Sequence, residues 1–161
     1  MSAGTISIRS LEAGEAATCE HLMRALPQWF GIEEAIVEYR DSLEELETIV
    51  ATRQGEVIGF LTLRRHNPRS AEIHVMAVRE TSHRRGVGRA LVTHAENLVR
   101  ERGVEYLQVK TLGPSRESDE YSRTRSFYEA MGFVPLEENA LWGDVNPCLI
   151  MVKHVQCSRK T

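Results

Sequence analysis

Hydrophobic positions along the chain switch between a period of two and a period near 3.6, the pattern of mixed strands and helices. Thr5–Arg9 alternates and predicts a first strand. Leu11–Leu26 predicts a helix, with Ala16, Cys19, Leu22, Met23 and Leu26 on its apolar side and Pro27 as its stop. Ile32–Leu46 predicts a second helix. Ile49–Arg53 and Val57–Leu63 flank Gln54-Gly55-Glu56 and predict a hairpin. Arg64–Arg69 reads as a polar connection and Ala71–Val78 as a strong strand. Gly86–Arg102 is the clearest helix, with Val87, Leu91, Ala95 and Leu98 on one stripe and Gly103 ending it. Val104–Thr111 reads as a strand, Gly113–Glu120 as a charged loop and Tyr121–Met131 as a short helix closed by Gly132. Phe133–Leu136 and Pro147–His154 read as the last strands. Hairpins first and a strand–helix–strand crossover later predict an α/β (α+β) fold with a mixed sheet.

Composition narrows the function classes. The chain has 161 residues, 42% hydrophobic and 27% charged, as one globular domain would, with a core over about residues 5–155 and a short polar tail. Its net charge is −3, which argues against a protein that holds nucleic acid by its phosphates. The longest uncharged apolar run, Val57–Leu63, is far below the ~18 residues that span a bilayer, and the first residues lack the pattern of a secretory signal. Cys19, Cys148 and Cys157 are odd in number and widely spaced. They predict packing residues and a tail thiol in a reducing, cytoplasmic setting, with no disulfide framework and no metal site.

The most informative segment runs from Ala71 to Val92. A buried strand enters a basic, glycine-containing turn, and a long helix starts there. A helix N-terminus carries unpaired N–H groups and a partial positive charge. Glycine lets backbone approach a ligand closely. Arg84, Arg85 and Arg89 add full charges, so the segment predicts a site for a phosphate-bearing ligand, best a pyrophosphate. A G-x-G-x-x-G dinucleotide fingerprint would need glycine at Leu91, and no G-x-x-x-x-G-K-S/T string occurs.

Three blocks then carry a family resemblance: Val75-Met-Ala-Val78, His83-Arg-Arg-Gly-Val-Gly-Arg-Ala-Leu91 and Phe127-Tyr-Glu-Ala-Met-Gly-Phe133. In order and spacing the sequence resembles the GNAT superfamily of acetyl-CoA-dependent N-acetyltransferases over about residues 5–155. The resemblance implies a mixed, mostly antiparallel twisted sheet of about seven strands flanked by about four helices. It implies acetyl-CoA as acyl donor, with contacts from Met76, Ala77, Val78, His83, Arg84, Arg85, Gly86, Val87, Gly88, Arg89, Ala90 and Tyr121. Two positions depart from the family pattern. His83 stands where Gln or Arg leads the turn, and Tyr121 stands where Asn often precedes the family tyrosine.

Transfer to an amine by direct attack in a ternary complex needs a base, because an ordinary lysine-type amine is almost wholly protonated at pH 7. Glu72 and His74 are the candidates. Period two places them on one strand face with Met76, and the resembled family uses a glutamate of this strand through water. An unperturbed histidine, with a pKa near 6.5, also suits the task. The resemblance makes Tyr128 the hydrogen-bond donor to the departing sulfur, and Met76–Val78 the strand end that pairs with the pantetheine amides. Arg123 and Arg125 either assist the coenzyme phosphates or pair with Glu117, Asp119 and Glu120. Trp142 either covers the substrate or caps the core. Seven acidic residues against Arg40 between Glu33 and Glu47, with Trp29 and Phe30 beside them, suit a cationic small-molecule or side-chain amine as acceptor. Homodimers are common in the resembled family. The competing reading is a non-catalytic acetyl-CoA-binding sensor or regulatory module.

Overall fold

The computed structural model describes residues 4–156, so Cys157 and the expected tail thiol lie outside the described residues. Among the described residues, seven strands form one open, mostly antiparallel sheet with four α-helices. In chain order the elements are β1 (Ile6–Ser10), α1 (Glu15–Arg24), α2 (Glu33–Glu45), β2 (Glu47–Arg53), β3 (Glu56–Asn67), β4 (Ser70–Val78), α3 (Val87–Glu101), β5 (Tyr106–Leu112), α4 (Asp119–Ala130), β6 (Val134–Asn139) and β7 (Cys148–His154). The sheet order is β1-β2-β3-β4-β5-β7-β6.

The chain gathers into two compact units. Among the described residues, one comprises those up to Arg64 together with His74–Asn97; the other comprises Arg65–Ile73 and those from Leu98 to Gln156. In the first, β1 and β3 flank β2 antiparallel. The β2–β3 hairpin closes through Gln54 (φ 53°) and Gly55 (φ 78°). Left-handed backbone at both central residues matches the twist of the strands they join. Cys19, Leu22, Met23 and Leu26 from the α1 segment and Ile36 and Leu43 from α2 pack with Val50, Val57, Phe60, Val75 and Ala77 of the strands.

In the second unit, Ser70–Ile73 of β4 pair in parallel with Tyr106–Val109 of β5, β5 pairs antiparallel with β7, and β7 with β6. Gly103 (φ 83°) turns the chain out of α3, and Val104 N–H donates to the Val99 carbonyl at 3.0 Å. This is a left-handed helix stop. Ser118 caps α4 by accepting the Tyr121 N–H at 3.3 Å. Cys19 and Cys148 are buried, reduced thiols.

Several boundaries differ from the sequence reading. The polar Arg64–Asn67 stretch is the end of β3, because strand pairing continues past the apolar run and only Pro68-Arg69 turns the chain. The first helix begins at Glu15, since Gly14 (φ 85°) turns the chain just ahead of it. The last helix starts at Asp119, where the Ser118 cap fixes its first turn.

Gly59 of β3 seats α3. A Cβ there would lie 3.2 Å from the Ala77 carbonyl oxygen, 3.2 Å from Val87 Cγ1 and 3.3 Å from Leu91 Cδ1. The first turn of α3 therefore rests on bare strand backbone. Gly59→Val should cost about 1–3 kcal/mol by overpacking a site whose nearest atom is backbone. Urea unfolding checks this; a midpoint equal to wild type contradicts it.

Candidate active site

The turn between β4 and α3 is built by hydrogen bonds before it meets any ligand. Arg79 N–H donates to the Ile58 carbonyl at 2.8 Å, which fixes the exit from β4. Ser82 N–H donates to Arg79 O at 2.8 Å and His83 N–H to Glu80 O at 3.1 Å, giving one tight 3-10 turn over Glu80–Ser82. The backbone is left-handed at Arg84 (φ 62°) and Gly86 (φ 82°), and Val87 is the first residue of α3. The first intrahelical bond runs from Ala90 N–H to Gly86 O at 3.0 Å. The N–H groups of Val87, Gly88 and Arg89 therefore precede the helical ladder and face the helix start, where the dipole favours an anion. Arg84, Arg85, Gly86 and Arg89 are exposed, while the Val87 side chain is buried beneath them.

Nothing lies within 4 Å of the Cβ position of Gly86. Glycine there serves backbone conformation, and it leaves open room above the amides. Non-glycine left-handed backbone at Arg84 costs of order 1–2 kcal/mol. The strain is stored in the turn that starts α3, and nothing in the sequence betrayed it. These features fit a diphosphate.

His83 does not reach outward with the arginines. Its Nε2–H donates to the Val78 carbonyl at 2.7 Å, and its ring meets Trp29 edge-on with centroids 5.7 Å apart. The carbonyl at the end of β4, expected to meet pantetheine amides, thus already accepts one bond from this chain. Met76 is half-buried and Ala77 buried. The His74 ring stands edge-on to Tyr39 at 5.4 Å, and Tyr39 to Phe30 at 6.1 Å. Trp29, Phe30, Tyr39, His74 and His83 thereby form aromatic contacts linking the α1–α2 connection to β4 and the turn.

In the second unit, Glu72 is 5% exposed. Lys110 Nζ lies 2.9 Å from its Oε1 and 3.1 Å from its Oε2, His66 Nε2 lies 2.6 Å from Oε1, and Gln108 Nε2 lies 3.3 Å from Oε1. Burial pushes this carboxyl up, but the Lys110 and His66 hydrogen bonds outweigh it and hold Glu72 below the usual carboxylate range. Sequence reasoning missed all three partners. Gln108 and Lys110, polar at alternate positions of an otherwise apolar strand, were the available signal; His66 was hidden in the stretch read as a connection.

Tyr128 is buried, edge-on to Phe133 at 5.5 Å, and its burial raises the phenol well above its ordinary value. It is protonated at neutral pH. Tyr121 spends its backbone N–H on the α4 cap. Arg125 donates to the Leu112 carbonyl at 2.7 Å. Trp142 is exposed, beside exposed Leu141. Among the described residues no group of three or more His, Cys, Asp or Glu could hold a metal ion, and no helix is long and apolar enough to cross a membrane.

The family model for the acetyltransferase (GNAT) family matches residues 16–133. The chain belongs to the GNAT acetyltransferase family. The chain is 32% identical to a mycothiol acetyltransferase of Beutenbergia cavernae over 89 residues, 55% of this chain and 28% of the relative. It is 31% identical to an uncharacterized N-acetyltransferase of Chlorobaculum tepidum over 103 residues, 62% of this chain and 59% of the relative. The matches thus span well under two thirds of the length of either curated relative. A GNAT-family structure from Desulfovibrio desulfuricans superposes with a TM-score of 0.83 at 19% identity, covering 94% of this chain and 99% of that one. A GNAT acetyltransferase from Elizabethkingia anophelis, solved with acetyl-CoA bound, superposes at 0.72 and 17% identity, covering 92% and 97%.

The lowered pKa of Glu72 fixes the sign of one pH effect. Its contribution to stability is fully present above the unfolded value of about 4.3 and is lost as pH falls through the lower folded value. The stability gap between wild type and Glu72→Gln should therefore be widest above pH ~5 and narrow on acidification. Denaturant unfolding across this range checks it; a gap that stays constant contradicts it.

Proposed function

We propose that this GNAT acetyltransferase moves an acetyl group from acetyl-CoA to a primary amine by direct attack in a ternary complex. The observation that carries the reading is the left-handed turn through Arg84 and Gly86, which opens α3 with its first N–H groups outside the helical ladder and three arginines exposed. Acetyl-CoA, when bound, supplies the acyl thioester. The amides of Val87–Arg89 hold its diphosphate, and Arg84, Arg85 and Arg89 neutralise the remaining charge.

Glu72 takes the proton of the acceptor's ammonium, directly or through water. The position of His74 one period along the same strand face makes it the alternative base. Tyr128, protonated at neutral pH as an ordinary phenol is, donates a hydrogen bond to sulfur as the C–S bond breaks. The acceptor is a cationic amine. Support comes from α2, where Glu34, Glu38, Glu44 and Glu45 are exposed, while Glu33 is taken by Arg24 at 2.7 Å. A surface of that sign raises the local concentration of cations.

Acetyl-CoA incubated with a panel of primary amines should release free thiol, fastest with polycationic members. Tyr128→Phe, which removes only the hydroxyl, should lower kcat by about 10²-fold, the lower end for loss of a positioned proton donor. Unchanged turnover in that variant rejects the role of Tyr128. Binding of acetyl-CoA with no thiol release on any amine favours a sensor module instead.

A further inference from the structure

Glu72 sits where an unaccompanied carboxylate would not stay charged. Transfer of a carboxylate into a poorly hydrated site costs several kcal/mol, and such a group ordinarily takes up a proton instead. Two partners prevent this. The parallel register sets Glu72 opposite Gln108, and Lys110 follows one period later on the same face of β5. From there its ammonium engages both carboxylate oxygens, at 2.9 and 3.1 Å. The Lys110 side chain is only 21% exposed, so the pair is weakly screened. His66, from the end of β3, meets Oε1 through its Nε2 at 2.6 Å.

The register also sets Tyr106 of β5 and His154 of β7 on this face. Cys148 of β7 is buried and feels the charges of Lys110, Glu72 and Glu137 of β6. His74 follows on the same face of β4. Lys110 is the cation among these groups at hydrogen-bond distance from Glu72, so the charge of the carboxylate depends on it.

We propose that Lys110 and His66 are positioning residues that keep the Glu72 carboxylate charged and in one orientation, and that they set the acid-side limit of acetyl transfer. The proposal rests on the reading of Glu72 as the group that takes the acceptor's proton. In that step an N–H bond of the ammonium breaks and an O–H bond forms on Glu72. The electron pair left on nitrogen makes the new C–N bond, sulfur departs with the pair of the C–S bond, and the second N–H proton passes to that sulfur, leaving amide and free thiol. Whether Glu72 can accept that proton at a given pH is decided by its two partners before any substrate arrives.

The test is a side-chain carbon NMR titration of Glu72, with its resonance assigned by its loss in Glu72→Gln, alongside the pH profile of kcat/KM. Lys110→Met should raise the titration midpoint of Glu72 by about 1–3 units, the effect of removing an adjacent opposite charge. The acid limb of kcat/KM should rise with it. Lys110→Arg, which restores the cation, should return both towards wild type. His66→Leu should move both in the same direction by less, with His66→Gln returning them. It carries the same test should Lys110→Met not fold.

A midpoint that stays at its wild-type position in the lysine or histidine variant overturns the proposal, as does an acid limb that fails to follow a shifted midpoint. Undiminished turnover in Glu72→Gln overturns instead the reading of Glu72 as base. The NMR midpoint, which needs no turnover, tells the two failures apart.

Discussion

A buried strand cannot run straight into a helix and leave the helix's first amides facing outward; the chain must change hand in between. In this protein the change is made at Arg84 and Gly86, both left-handed, directly after a 3-10 turn that is anchored to β3 through Arg79 and Ile58. The remaining features of the first unit serve that turn. Gly59 lets Val87 and Leu91 settle on the sheet, so the helix start is held from below. His83 folds back onto Val78 and Trp29, so the turn is tied to the end of β4 and to the α1–α2 connection. An anion site made of backbone needs rigidity of this kind, because N–H donors on a mobile loop would lose their orientation.

The second unit rests on a different constraint, the cost of buried charge. Glu72 is ionised because Lys110 and His66 make it so, and Tyr128 is held further from ionisation because its surroundings do not tolerate a phenolate. The two groups are thus pushed apart in pKa by opposite means, one by pairing and the other by burial.

Most of the architecture was legible in the sequence because it follows from periodicity and punctuation. Gly103 and Gly132 end their helices as expected, with φ of 83° and 96°, and Gln54-Gly55 makes the expected hairpin. The glycine-containing basic turn was legible because strand, arginines and helix fall next to one another in the chain. What escaped was non-local or conformational. The parallel pairing that brings Lys110 to Glu72 joins residues far apart in sequence, and periodicity on either strand alone says nothing about it. The left-handed backbone at Arg84 falls on a residue with no preference for it. The inward turn of His83 depends on Trp29, over fifty positions away. Arg125 looked like a phosphate or carboxylate partner, and only the fold reveals its bond to a backbone carbonyl.

The central claim is that backbone amides at the start of α3 hold the diphosphate of coenzyme A. The most direct measurement is an amide NMR titration of the protein with coenzyme A, repeated on Gly86→Val. The account predicts saturable shifts centred on the amides of Gly86–Ala90, and at least a tenfold weaker Kd, about 1.4 kcal/mol, in the variant. Shifts that avoid this segment, or equal affinity in Gly86→Val, would contradict it.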